Sequence, residues 1–136
     1  MVVGAAGLLE GLAEMLRDGL PSCLAEAGAG LEAVRDVCVP GRRCRTLPYL
    51  SLALRGADVG EKDRIIDTEV YGVEIWLHIC RRRGNAAMRG LRYMDALRAF
   101  FARNEWCGLW DRARVTGYDA ERMTVRVERE YIAGEE

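Results

Sequence analysis

Thr68–Cys80 reads Thr-Glu-Val-Tyr-Gly-Val-Glu-Ile-Trp-Leu-His-Ile-Cys. Side chains of an extended chain alternate between faces, so Val73, Ile75, Leu77 and Ile79 point one way and Glu74, Trp76 and His78 the other, which predicts a half-buried strand. Gly84-Asn85 punctuates the chain after it. Beyond that point Ala87, Leu91, Met94, Leu97 and Phe101 recur at steps of four, three, three and four, the spacing of one helical stripe. Arg89, Arg92 and Arg103 fall off the stripe, and Asp95 can pair with Arg92 and Arg98 for only about 0.2 to 0.5 kcal/mol each, so burial must carry this helix. A strand whose apolar residues share one face, followed by a helix with one apolar stripe, implies a sheet covered on one side.

The same pattern extends in both directions. Downstream, a turn over Asn104–Gly108 leads to strands near Arg112–Tyr118 and Met123–Ile132, joined by Asp119-Ala120-Glu121 as a hairpin connection. On the last of these Met123, Val125, Val127 and Tyr131 face one way; Thr124, Arg126, Glu128 and Glu130 face water or a partner. Upstream, Leu50, Leu52 and Leu54 alternate with Tyr49, Ser51 and Ala53 as a strand, and Gly56–Asp63 reads as a charged loop. Near the start, Ala5, Leu8, Leu9, Leu12, Met15 and Leu16 predict a helix from Ala5 to about Asp18, which Gly19-Leu20-Pro21 should break. A second helical stretch is expected through Leu24, Ala27, Leu31 and Val34, weakened by Gly28 and Gly30. The expected fold is α+β in two layers: a small, mostly antiparallel four-stranded sheet with helices on one face, in the order α-β-β-α-β-β. Such a sheet leaves an edge, and the mixed charge of the last strand either protects that edge or docks it on a neighbour.

The chain has 136 residues, half of them apolar and 30% charged, which suits one domain over 1–136 with a short acidic tail at 133–136. With 20 basic and 21 acidic residues the formal charge is −1, so no global field draws it to nucleic acid or anionic lipid. Lys62 is the sole lysine, Ser22 and Ser51 are the only serines, and glutamine is absent. Five cysteines at scattered spacings (Cys23, Cys38, Cys44, Cys80 and Cys107) predict reduced, mostly buried thiols in a cytoplasmic compartment rather than a disulfide framework or a metal site. The apolar opening is interrupted by Glu10 and has no basic run before it, so it reads as the start of an amphipathic helix in a non-secreted, non-membrane protein.

Few constellations carry chemistry. A multi-histidine metal site is impossible, because His78 is the only histidine. His78 and Cys80, two residues apart, offer a ligand pair or a nucleophile with its base, against a structural histidine and thiol. Ser22 and Ser51 lie in no nucleophile-elbow motif, and nothing near Lys62 predicts a depressed pKa. Gly4–Gly11 has loop-like glycine spacing but lacks the ending of a phosphate loop, and reads as small residues for close helix packing. Glu10 and Glu14 share a helical face as solvated carboxylates. No catalytic residue, cofactor or metal is expected. Arg81, Arg82 and Arg83 form a positive knob for phosphates or for acidic residues of another subunit, or else a solvated turn. Trp106 and Trp110 either cap the core or anchor an interface. Arginine clusters at Arg42–Arg45 and Arg81–Arg83 lack the aromatic interleaving of a single-strand binding platform.

Three stretches together resemble a known family: Leu47-Pro48-Tyr49-Leu50-Ser51-Leu52 opening a strand, Asp67-Thr68-Glu69 leading into the long alternating strand, and Ala96-Leu97 in the helix before a hairpin ending in Glu130-Tyr131-Ile132. With the leading helix, this order resembles the tail terminator or tail-completion (minor tail) proteins of long-tailed bacteriophages and prophages, over roughly residues 5 to 132. The resemblance implies a non-enzymatic subunit that forms a hexameric ring, caps the tail tube and meets the head-side connector. Its implied partners are further copies of itself, the tail tube protein and the connector proteins, with passive contact to DNA in a channel and assembly in the bacterial host cytoplasm. The residues offered for the ring contacts are Arg81, Arg82 and Arg83 against Glu61, Asp63 and Glu69, with Trp106 and Trp110 as aromatic anchors. The alternative is a small cytoplasmic α+β binding module or an enzyme using the His78 face.

Overall fold

The structure is a computed structural model that describes residues 3–28 and 30–132; the expected acidic tail at 133–136 lies outside the described residues. In chain order the elements are α1 (Gly4–Ala27), β1 (Asp36–Cys38), β2 (Tyr49–Glu61), β3 (Ile66–His78), α2 (Ala86–Arg103), β4 (Arg112–Tyr118) and β5 (Arg122–Ile132). One sheet holds the strands in the order β1-β2-β3-β5-β4. Every pairing is antiparallel except β1 with β2. The α+β class expected from the sequence holds. The sheet has five strands rather than four, and is mixed, because three residues, Asp36-Val37-Cys38, are too few to display an alternation.

Inward side chains of β3, among them Val73, Ile75 and Leu77, meet Leu50 and Leu52 of β2 and Met123, Val125 and Val127 of β5 in one buried cluster. Both helices close it. From α1 come Leu8, Leu12, Leu16, Leu20 and Leu24; from α2 come Tyr93, Met94, Leu97, Phe100 and Phe101. The α2 stripe is turned slightly from the expected one: Ala87 is exposed and Leu91 half-buried, while Tyr93 and Phe100 are buried. Tyr93 reaches through the core to donate to the Glu32 carbonyl at 2.7 Å, so its polar end is satisfied. Asn85 caps α2, its side chain accepting from the Met88 amide at 3.2 Å.

The first helix does not break at Gly19-Leu20-Pro21 as its sequence predicts. Pro21 sits inside it, and Leu20, Cys23 and Leu24 continue the buried stripe on either side. An interior proline costs about 3 kcal/mol. Burying leucines at about 1.5 to 3 kcal/mol each outweighs that. Gly19 serves the packing: a Cβ there would lie 3.1 Å from Phe100, so its absence lets the two helices approach. At Gly11 a Cβ would lie 2.6 Å from Leu109, so its absence admits the loop between α2 and β4. The helix then stops at Gly28, and Leu31 and Val34, expected on a second helical stretch, lie outside any helix on the way to β1, packed against the core.

Gly56–Asp63, expected as a loop, is mostly strand: Gly56, Asp58 and Gly60 pair with Gly72, Val70 and Thr68 of β3. The turn proper is short, and the Asp63 carboxylate organises it by accepting from the Ile65 and Ile66 amides at 2.7 and 2.8 Å. A second correction concerns the cysteines. Cys38 and Cys44 form a disulfide with Cα atoms 6.2 Å apart, leaving Cys23, Cys80 and Cys107 free. Only the chain reversal through Pro40-Gly41 brings the pair together, so a six-residue spacing gave no sign of it. Cysteine usage therefore no longer speaks for a reducing compartment. No helix among the described residues is long and apolar enough to cross a membrane.

Phe101 and Leu97 are each 1% exposed, so Phe101→Ala should cost about 3 to 5 kcal/mol and Leu97→Ala about 2 to 5 kcal/mol in chemical denaturation. Near-neutral midpoints for both would refute this assignment of the helix face. Gly90→Ala separates packing from propensity. A methyl group at Gly90 collides with the Ala120 backbone in the β4–β5 turn, so the variant should unfold at lower denaturant, whereas helix propensity alone demands a gain of about 1 kcal/mol.

Candidate functional site

With both helices on one side, the other sheet face carries the polar half of each strand. Tyr49 and His78 stack there with ring centres 4.3 Å apart, and Ser51 Oγ lies 2.9 Å from His78 Nε2. Tyr49 and Ser51 face His78 and Trp76 across the β2–β3 pairing, which is what assembles the group. Next to it the Arg122 guanidinium lies 5.3 Å over the Trp76 ring, and Glu74 pairs with Arg55 at 3.4 Å. Burial, and then the charge of Arg81, push the His78 imidazole below its ordinary range and keep it neutral. A serine beside a neutral imidazole is the geometry of a nucleophile and its base. Among the described residues no hydrogen bond reaches His78 Nδ1, so the group that would orient the base is missing. The expected partner of His78, Cys80, lies beyond the end of β3 and lines a different cavity of about 250 Å³ with Pro48, Arg89 and Tyr93.

Asp36, Cys38 and Cys44 place one potential metal-ligand atom each within 4.8 Å of one another. The two sulfurs are joined, and the Asp36 carboxylate is engaged by Arg17 and Arg42, both at 3.3 Å. This set ties α1 to β1 and does not fit a metal, which needs free thiolates and an uncommitted carboxylate.

The residues offered for ring contacts scatter. Arg81–Arg83 follow β3 at one end of the sheet; Glu61 and Asp63 mark the β2–β3 turn at the other. Thirteen residues of β3 separate them, about 40 Å at ~3.3 Å per residue. The knob is also partly neutralised: Arg83 lies 3.8 Å from Glu32, and Arg81 is close enough to Asp119 to help lower its pKa. Its backbone is held as well, Arg89 donating to the Cys80 carbonyl at 2.7 Å and to that of Arg83. One expectation fails outright. Glu69 is 1% exposed, on the inward face of β3 opposite Val59 and Arg129, so it is no rim contact. Its carboxylate oxygens have no hydrogen-bond partner among the described residues, and after burial its charge is the next cause raising the Tyr71 phenol. Inward position at Glu69 follows from the two-residue period shared with Tyr71 and Val73, a signal the sequence carried.

Trp110 is fully buried against Phe101, at 6.0 Å between ring centres, and donates to the Asn104 carbonyl; it caps the core. Trp106 is the opposite case, 69% exposed and held at φ 53°, a left-handed conformation that costs a non-glycine residue energy. Its amide donates to the Asp111 carbonyl at 3.0 Å, which pins the indole at the entrance to β4. Of the two roles expected for these tryptophans, core cap or interface anchor, Trp106 does not fill the first. The edge expected on the last strand is elsewhere: β5 lies between β3 and β4, and the edges are β4, with Arg112 and Arg114 exposed, and the far part of β2, with Asp58 exposed.

The depressed His78 pKa has a consequence for stability. Below about 6.5 the unfolded chain binds a proton that the folded chain resists, so stability falls as pH drops from about 6.5 toward the folded value and then levels. Urea midpoints between pH 7 and 5 should slope downward in the wild type and lose that slope in His78→Asn; equal slopes would refute the burial of a neutral ring.

Comparison of the chain with known protein families, with curated proteins and with solved structures finds no match in any of the three.

Proposed function

We propose that this chain is a structural assembly subunit of the kind that closes a phage tail, joining copies of itself in a ring that caps the tail tube and meets the head-side connector. The observation that carries this reading is the β2–β3 hairpin. Eight residues of β2, Leu54–Glu61, are exposed, and Val59 and Ile65 present 66% and 64% of their surface to solvent. Apolar side chains held out on a hairpin, Val59 on its strand and Ile65 in its turn, suit burial by another chain better than solitary life in water. The stretches that resemble tail terminators fit this frame: Leu47–Pro48 enters β2, Asp67-Thr68-Glu69 lies in β3, Ala96-Leu97 in α2, and Glu130-Tyr131-Ile132 ends β5. The tail tube protein and connector proteins are the proposed partners, DNA passes a ring only as a passive neighbour, and the host cytoplasm is the place of assembly.

A contact between the arginine knob and the Glu61–Asp63 turn needs copies displaced by about 40 Å along the strands. That is a stacked arrangement, not a flat ring. Light scattering over a range of concentrations should reveal a closed sixfold species, and a monomer at every concentration would sink the reading. The triple substitution Arg81→Glu, Arg82→Glu and Arg83→Glu should leave that species intact in sedimentation at both low and high ionic strength. Its loss at low salt alone would place the knob between neighbours within the ring.

The Ser51–His78 contact favours a second reading, a small binding module or hydrolytic enzyme. Labelling by a serine-reactive fluorophosphonate, abolished in Ser51→Ala, would support it over the first.

A further inference from the structure

Two stretches of backbone lie at the lateral edges of the sheet. β1 covers only Tyr49–Ser51 of β2, so among the described residues no strand pairs with the outer side of Leu52–Glu61. At the other edge β4, Arg112–Tyr118, pairs only with β5. The registers carry height across the sheet. Asp58 faces Val70, Val70 faces Glu128, and Glu128 faces Arg112; lower down, Leu52 faces Ile75, Ile75 faces Met123, and Met123 faces Tyr118. The seven residues of β4 thus stand level with the free stretch Leu52–Asp58. Three successive antiparallel pairings also make β4 run opposite to β2. A copy set beside another, without being turned over or displaced along the strands, therefore offers β2 an antiparallel partner at the right height.

We propose that β4 of one copy adds to the free edge of β2 in the next, so that the sheet continues from subunit to subunit. The proposal deepens the assembly reading above and rests on it for closure into a ring. Main-chain hydrogen bonds would provide the affinity of such strand addition, and side chains its choice of edge. Asp58 and Arg112 stand in one row on the uncovered face, and neither has an ion-pair partner among the described residues. Pairing β2 with β4 brings them together, whereas β4 against β4 crowds Arg112 with Arg114. Each edge carries an extra residue at one height: β2 between Leu54 and Gly56, β4 between Val115 and Gly117, at the level of Val73 and Val125. Bulges and charges ordinarily blunt an edge. Here the bends coincide and Asp58 stands level with Arg112, which favours the pairing of unlike edges. The contact is heterologous, as a ring requires. Trp106, pinned to Asp111 beside β4, lies near the height of Val59 on β2, and the two exposed apolar side chains supply the water-excluding part of the contact.

Charge exchange and amide exchange test this on the full chain. Asp58→Arg and Arg112→Asp should each raise the concentration of half-assembly about tenfold in sedimentation, and the double variant should return to within about threefold of wild type. In hydrogen–deuterium exchange, the amides of 52–58 and 112–118 should slow at least about tenfold on assembly. Multimers that form with those amides exchanging as in the monomer, or with all three variants assembling as wild type, overturn the edge pairing while the ring reading stands. Rescue by the double variant in open chains of variable length supports the pairing and overturns the ring. A wild type that stays monomeric at every concentration overturns both.

Discussion

Everything in this molecule depends on burying the inward face of β3. Val73 and Ile75 are fully buried between β2 and β5 and beneath both helices. Each such side chain removed from water contributes about 1.5 to 3 kcal/mol, and the neighbours it gathers contribute as much again. That one demand explains the local irregularities. The first helix runs through Pro21 because Leu20 and Leu24 are needed under the sheet. Gly19, Gly11 and Gly90 occur where Phe100, Leu109 and the Ala120 backbone come closest. Trp110 is drawn from a loop into the core, and the same loop leaves Trp106 outside it.

Covering one face of a sheet with two helices has a geometric price at the perimeter. The second face stays in water, so its residues are polar and pair with each other, as Ser51 does with His78 and Arg55 with Glu74. Two strand edges stay open among the described residues as well, and the β2–β3 pair runs on past its hydrophobic support. An isolated domain usually shortens or blocks such edges. Here they stand level with one another, with Asp58 on one and Arg112 on the other, which is what the proposed strand addition rests on. Arg81–Arg83 and the pair Glu61 and Asp63 stand at opposite ends of β3, so copies set side by side at one height would not bring them together.

Much of the architecture was legible in the residues themselves. Period-two alternation located the strands around Val73 and Val125, period 3.6 located α2, and the β4–β5 turn fell where Asp119-Ala120-Glu121 predicted it. These signals are local: they need only that a residue and its neighbours two or four positions away share a face. The same alternation, followed two steps back from Val73, also puts Glu69 inside, and charge alone was a poor guide to its exposure.

What the sequence by itself determined was therefore the class of fold, the inward faces and the absence of a multi-histidine centre. Tertiary structure alone decided the rest, because each remaining feature is a contact between residues far apart in the chain. Pro21 was tolerated only because α2 and the sheet were there to receive the helix beyond it. Gly56–Glu61 became strand through pairing with β3, against a weak propensity of its own. Cys38 met Cys44 through a chain reversal that no spacing rule announces, and Asp58 came level with Arg112 only through three successive strand registers. Local periodicity reports which way a side chain points; what it meets depends on the path of the whole chain.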